Sequence, residues 1–531
     1  MISISNNQDA AEARYAIERA LLGDMPGCTE WQLMAAEALT ATITGNNCEL
    51  SVEWGKLIFA WWDDERSQSW RVTAYEINEA ELRLQVTRGL KNEIATITLR
   101  NQAKWREKVE LENLGTAERR QLFAKLLAEL FTRNFDGARV QRLTTGADRS
   151  HAVPGKYARL VLKLRGETAL AIGAGKAESQ TDIDGSIAAG LIWLAGFNQQ
   201  REAKQQAKRL LICVPAGSSQ TVIERLTLLD TSHLGARIEC LEVEERRQEL
   251  NAVQLATQDE LLSTHPRELD WPETATAENH WRERILRLAP GQIELRQIAG
   301  REAYLINGLE FARASFGDKP RVKFGVAGLD SDLPTSEALN ESNFDRLAEL
   351  VAEIAEHRTS NSANRRHALH RLREEAWLES LLRKDIRVLG EGLDERFVYS
   401  QIPAWRGDER SVIDLLTVNH QARLVVIEVK ASEDAQLPLQ GVDYWLRVEQ
   451  ARLRGEFQRR GLFGGIELAN QPPLLYLVAP RLRFHRTFAI VARCLSPKIE
   501  AYQVGVNTNW RESVRVRTCE RVNDHQPKES F

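Results

Sequence analysis

Residues 411–431 read SVIDLLTVNHQARLVVIEVKA. Two apolar runs, 412–418 and 424–430, flank a polar stretch at Asn419–Arg423, and the pattern predicts a hairpin of two buried strands. Asp414 interrupts the first run, and Glu428 and Lys430 interrupt the second. Along a strand, residues two apart share a face at a spacing of about 7 Å, so Glu428 and Lys430 point one way and Val429 the other. Charges in a core strand are costly unless they are paired or bound to a metal. Two carboxylates and an ammonium on one face therefore predict a site for a divalent cation. Carboxylate oxygens hold Mg²⁺ (or Mn²⁺) without stripping all its water. Such an ion polarises a phosphoryl oxygen and lowers the pKa of a bound water. Lys430 then positions the attacking water or neutralises transition-state charge. The competing reading is an inert buried salt bridge.

Working outward, a helix is expected over about Arg371–Leu389 and a strand at 397–404. After the hairpin come a helix over about Leu439–Arg460, a buried strand at 473–480, a helix at 486–495 and a last strand at 498–506. The runs WLESLLRKDIRVL, VIDLLTV, LVVIEVKASED and PLQGVDYW together resemble the PD-(D/E)XK nuclease superfamily, in its RecB-like and Mrr-like branches and the archaeal-type single-strand and mismatch endonucleases. The resemblance covers about 145 residues. It implies a restriction-endonuclease-like α/β/α domain with Asp414, Glu428 and Lys430 as the catalytic set and Asp414 and Glu428 as metal ligands. It also implies Glu379 as the acid of the first helix, and Gln440 with Tyr444 as the helix motif after the hairpin. Ile413 stands where the family's nominal proline would be. Glu375 lies one turn before Glu379. Glu379 is preferred, because Leu378, Leu381 and Leu382 pack that stretch on the sheet, and Glu375 is assigned to solvent. Gln440 is expected to hold Lys430 or a metal-bound water, and Tyr444 to touch a phosphate.

Between Arg447 and Arg486 there are eight arginines against three glutamates. Arg452, Arg454, Arg459 and Arg460 are expected to bind nucleic-acid phosphates through forked contacts, with a solvated helix face as the alternative. Arg365, Arg366, Arg371 and Arg373 are weaker additions to that surface.

Upstream, residues from about Gln8 to Ala41 read as helical, and 49–100 as short alternating strands. Trp54, Trp61, Trp62 and Trp70 read as core aromatics, with base stacking as the alternative. A helix is expected at Ala117–Phe135. The unit near 157–215 follows the plan of the nuclease hairpin and helix, with Lys176 near the place of Lys430 and no acid where Glu428 stands. It reads as a degenerate copy. Residues 263–340 look mixed, with one strand at 321–328. A polar helix at Glu341–Glu356 then leads to HRTSNSANRRH, the best linker candidate. The expected architecture is multidomain α/β (α+β): an N-terminal helical and antiparallel β domain at 1–150, the nuclease-like α/β unit at 151–265, a connecting region at 266–364, and the nuclease domain at 365–531.

The chain carries 71 basic and 75 acidic residues, so nucleic acid cannot be held by overall charge and needs local patches. The six cysteines are scattered without a CxxC pair, which supports neither a zinc site nor a disulfide framework and suits the cytoplasm. No apolar run spans a membrane. Function is expected to be Mg²⁺-dependent endo- or exonuclease action, most readily on DNA, with room for a protein partner or a homo-oligomer. The alternatives are a non-catalytic nucleic-acid-binding or assembly protein, and a nuclease effector switched by a partner on the N-terminal domains.

Overall fold

The computed structural model describes every residue except 1, 5–6, 23–29, 36–37, 45, 54, 64–65, 79–80, 89–92, 102–114, 149–152, 270, 272–279, 299–300, 316–320, 327–336, 407–408 and 525–531. The protein is mixed α/β, with four sheets among the described residues. It divides into two compact units, Met1–Arg119 and Arg120–Phe531. No helix among the described residues is long and apolar enough to cross a membrane.

The first unit opens with β1 (Ile2–Ser3) and α1 (Asn7–Leu22), and its antiparallel sheet continues through β2 (Trp31–Ala35), β3 (Ala38–Ile43), β4 (Cys48–Glu53), β5 (Lys56–Trp62), β6 (Ser67–Ile77), β7 (Glu81–Arg88) and β8 (Glu93–Asn101). The helix expected to run to Ala41 stops at Leu22. Trp31–Ala35 and Ala38–Ile43 instead pair as strands, with Trp31 and Leu33 buried where β2 pairs with β8. Trp61 and Trp70 are core residues, Trp62 is 38% exposed, and Trp54 lies outside the described residues.

The second unit begins with a sheet-and-helix module. It contains α2 (Thr116–Asn134), β9 (Arg139–Thr144), β10 (Ala158–Leu164), β11 (Glu167–Gly173), α3 (Gln180–Gln199), β12 (Ala207–Pro215), α4 (Gln220–Thr227), β13 (Arg237–Glu244) and β14 (Glu249–Val253). The module starts before residue 151, because α2 buries Phe123, Leu127, Leu130 and Phe131 under this sheet and β9 pairs with β10.

Next come β15 (Ile293–Ile298), β16 (Arg301–Ile306), β17 (Leu309–Ser315), β18 (Arg321–Phe324) and β19 (Glu337–Ala338), a five-stranded antiparallel sheet packed on α5 (Phe344–His357). The sequence pattern marks only one of these strands. The β16–β17 turn is Asn307-Gly308, both at positive φ (45° and 76°), which is the signature of a two-residue hairpin. The stretch expected to be a linker is instead anchored. Arg358 is fully buried and donates to the carbonyls of Asn307, Leu369, Leu372 and Arg373.

The last module contains α6 (Glu374–Lys384), β20 (Tyr399–Arg406), β21 (Glu409–Val418), β22 (Leu424–Val429), α7 (Leu437–Leu453), β23 (Leu474–Pro480), α8 (Phe488–Ala492), β24 (Glu500–Val506) and β25 (Val516–Arg521). Its sheet repeats the β9–β14 sheet strand for strand. In both, the first three strands are antiparallel, the third, fourth and fifth run parallel, and the sixth returns antiparallel. Gly190 of α3 and Gly441 of α7 lie against matching residues of the fourth strand, Leu210 and Ile212 in one sheet and Leu475 and Leu477 in the other. A Cβ at Gly441 would collide with Leu477, and one at Gly190 would crowd Ile212 and Leu210. The two modules share one core, with α3 on α8 and α7 on α4. Leu229 bridges Leu495 antiparallel between them, flanked by Asp230 N–H to Cys494 O (2.7 Å) and Ser496 N–H to Leu228 O (2.9 Å). Such self-reciprocal contacts mark a pseudo-two-fold pair, the packing of an isologous dimer inside one chain.

Candidate active site

In the last module, β21 and β22 bring Asp414 beside Glu428, close enough for each carboxyl to feel the other's charge. The Val429 N–H donates to Asp414 Oδ2 at 2.9 Å. Lys430 follows directly after β22, its backbone N–H bonded to Val478 O, and its ammonium lies 3.2 Å from Glu428 Oε1. Same-face projection of residues two apart thus holds for Glu428 and Lys430.

Glu428 is 2% exposed, and its Oε2 is buried with no hydrogen-bond partner among the described residues. Burial, and then the charge of Asp414, push its carboxyl well above the usual range. Burial also raises Asp414 to about 6, although the Val429 N–H and Lys430 oppose the rise. Two buried carboxyls side by side thus resist carrying two negative charges at once. Burial alone would lower the Lys430 ammonium, but Glu428, Glu375 and Asp414 together hold it above its ordinary value.

A cavity of about 770 Å³ opens onto Asp414, and its lining includes Glu375, Glu379, Gln401, Arg371 and Arg373. Gln401 lies between the Ser400–Leu415 and Ile402–Ile413 pairs that flank Asp414, and it has a positive φ of 54°, a strained conformation of the kind that gathers at functional sites. Nothing in the sequence marks it. Arg371 and Arg373 are exposed and make no ion pair among the described residues.

The two helix acids divide differently from expectation. Glu375 does not belong to solvent alone: its Oε2 lies 3.6 Å from the Lys430 ammonium. Glu379 does line the cavity, but both its oxygens meet Arg296 Nη1 of β15, at 3.1 and 3.0 Å. Arg296 is also held by Glu294, which pairs in turn with Arg383 of α6. Burial raises Glu379 to about 7, against the pull of Arg296.

Other expectations need correction. Gln440 does not hold Lys430, whose ammonium faces Glu428 and Glu375; the Gln440 side-chain oxygen is buried with no partner among the described residues. Tyr444 is half-buried against the shared core and is not part of the cavity wall. The arginine run makes ion pairs within the protein. Arg452 forks onto Glu449, Arg454 pairs with Glu456, and Arg459 and Arg460 both bind Glu268. Arg452 also lies at the far end of α7, roughly 22 Å along the axis from Leu437, because a helix rises about 1.5 Å per residue. In the β9–β14 module, aligning Pro215 with Pro480 sets Ile172 at the position of Glu428, Arg159 at that of Asp414, and Ala174 at that of Lys430. Lys176 lies two residues further on, with its N–H bonded to Glu245.

The donor set suits a hard divalent cation: two adjacent carboxylates, one with a buried oxygen lacking a described partner. Among the described residues no three His, Cys, Asp or Glu side chains gather in metal-holding positions. Water and substrate oxygens would complete the shell, as is common for Mg²⁺. No family model, curated protein or solved structure matches the chain.

Proposed function

We propose that residues 365–531 form a restriction-endonuclease-like, PD-(D/E)XK-type nuclease domain that hydrolyses phosphodiester bonds in DNA with Mg²⁺ or Mn²⁺. The observation that carries this reading is the buried Glu428 Oε2, without a described partner, beside Asp414, with the Lys430 ammonium 3.2 Å from the other Glu428 oxygen. An inert salt bridge has no use for a second buried carboxylate, nor for an oxygen that faces no donor.

Asp414 and Glu428 would hold the cation, which supplies Lewis-acid charge to the phosphoryl oxygen and a more acidic water. Lys430, fixed between Glu428 and Glu375, keeps its proton and places positive charge where the phosphate becomes more negative. Arg371 and Arg373, exposed and unpaired with any described acid, offer phosphate contacts at the rim of the cavity. The test is purified protein with supercoiled, linear, single-stranded and branched DNA in Mg²⁺, Mn²⁺ or EDTA. Cleavage undiminished in chelator refutes the reading.

One observation favours a switched enzyme over a constitutive one. Arg296 comes from a separate sheet and occupies Glu379, a helix acid close enough to Asp414 to feel its charge. A partner that shifts that sheet would free the acid.

A further inference from the structure

The degenerate module lacks the acid pair, yet it holds a cavity of about 880 Å³ between β9–β10 and the C-terminal half of α3. The lining is cationic: Arg142, Arg159, Lys163 and Arg201 stand against the single carboxylate of Asp148. Arg159 is 2% exposed and meets Asp148 at 3.5 Å, while its Nε has no hydrogen-bond partner among the described residues. Burial and the like charge of Arg142 both act against its charge. Arg142, Lys163 and Arg201 make no ion pair among the described residues; Lys163 donates to Thr168, and Arg201 to the Phe197 carbonyl.

Two of the guanidiniums lie over aromatic rings, the central carbon of Arg159 at 5.6 Å from the Trp193 centroid and that of Arg201 at 3.5 Å from the Phe197 centroid. A cation over a ring is held without spending its N–H groups on it; of these, Arg159 uses Nη2 on the Gly146 carbonyl and Arg201 uses Nη1 on the Phe197 carbonyl, and the remaining donors are left for an anion. The matching positions of the other module are apolar. There Tyr399, Leu416 and Val418 take the register positions of Arg142, Val161 and Lys163, and Tyr399 packs edge-on against Phe463 and Trp271. One set of positions is apolar and packed against rings; its counterpart is basic and lines a cavity.

We propose that this cavity binds a small phosphate-bearing anion of the nucleotide or oligophosphate class. Several cations against one acid call for a ligand with several anionic oxygens, and forked guanidiniums match phosphate. The volume suits a ligand of nucleotide size. A single carboxylate or inorganic phosphate would engage only part of the lining. The inference stands apart from the nuclease reading, because it concerns other residues and needs no metal.

The test is calorimetric titration of the full chain in EDTA with ATP, tripolyphosphate and a short single-stranded oligonucleotide. ATP or tripolyphosphate should bind, and the Arg142→Glu/Lys163→Glu variant should weaken binding by about tenfold or more with an unchanged melting midpoint. Arg201→Ala, on the α3 side, serves as the second variant if the first fails to fold. Three results overturn the proposal: no heat from either small probe at millimolar concentration, affinity unchanged in the folded variants, or binding of the oligonucleotide alone.

Discussion

Replacing Arg296 with Met removes the charge facing Glu379 and roughly keeps the side chain's length. Both side chains are buried, at 4% and 2% exposure. Removing one partner of a buried pair costs about 3–5 kcal/mol. How much of this appears depends on Glu379. Burial has raised its carboxyl from 4.5 to about 7 even with Arg296 present. At about 1.4 kcal/mol per pH unit, that interval corresponds to roughly 3 kcal/mol. A raised carboxyl is neutral in the fold while the unfolded chain is already ionised. Its penalty is therefore absent at acid pH, grows from 4.5 to about 7, and is complete above that. Without Arg296 the carboxyl rises further, and the window extends upward. The variant should thus lose about 1 kcal/mol near pH 6 and about 3 kcal/mol or more near pH 9. A chain with several domains does not unfold in one step, so hydrogen exchange of the α6 amides, corrected for intrinsic rate, is the suitable assay. Arg296→Met/Glu379→Gln should recover most of the loss. Equal loss of protection at both pH values, or none, would refute the reasoning.

Four further outcomes are expected. Cleavage should require Mg²⁺ or Mn²⁺ and stop in EDTA, read on supercoiled DNA. Lys430→Ala should abolish cleavage while leaving DNA affinity nearly intact in a filter-binding assay, because Lys430 acts at one scissile phosphate. Arg371→Ala/Arg373→Ala should flatten the salt dependence of DNA binding by about one unit for each phosphate left unneutralised. Replacing Arg452, Arg454, Arg459 and Arg460 with Ala should leave that slope unchanged and lower the melting midpoint instead, since those guanidiniums bind Glu449, Glu456 and Glu268.

The hairpin is legible in the sequence because it depends only on neighbours. Period-two alternation places Glu428 and Lys430 on one side, and an acid in an otherwise apolar run announces a buried charge. The strand-for-strand repeat is partly legible, since 159–175 and 412–430 share a texture even where the acids differ. Partners brought together by the fold are not legible. Glu268 lies almost two hundred residues before the arginines it binds, so a run that is basic in sequence is largely neutralised in space. Arg296 is hidden for the same reason, although Asn307-Gly308 marks a hairpin in the neighbouring stretch. Trp31–Ala35 and the start of β3 look helical in isolation but form strands, because weak helix propensity yields to the pairing of β2 with β8 and of β3 with β2.

The Arg358 anchor bears on how the chain can be divided. Sequence places a cut naturally in 357–367, and a fragment beginning at residue 365 looks self-sufficient. That cut would strip the carbonyls of Leu369, Leu372 and Arg373 of their shared donor, and it would release the Asn307 turn from the start of α6. Protease should accordingly spare this stretch in the intact protein, and the five-stranded sheet and the C-terminal module should be inherited, expressed and lost together as one mechanical piece.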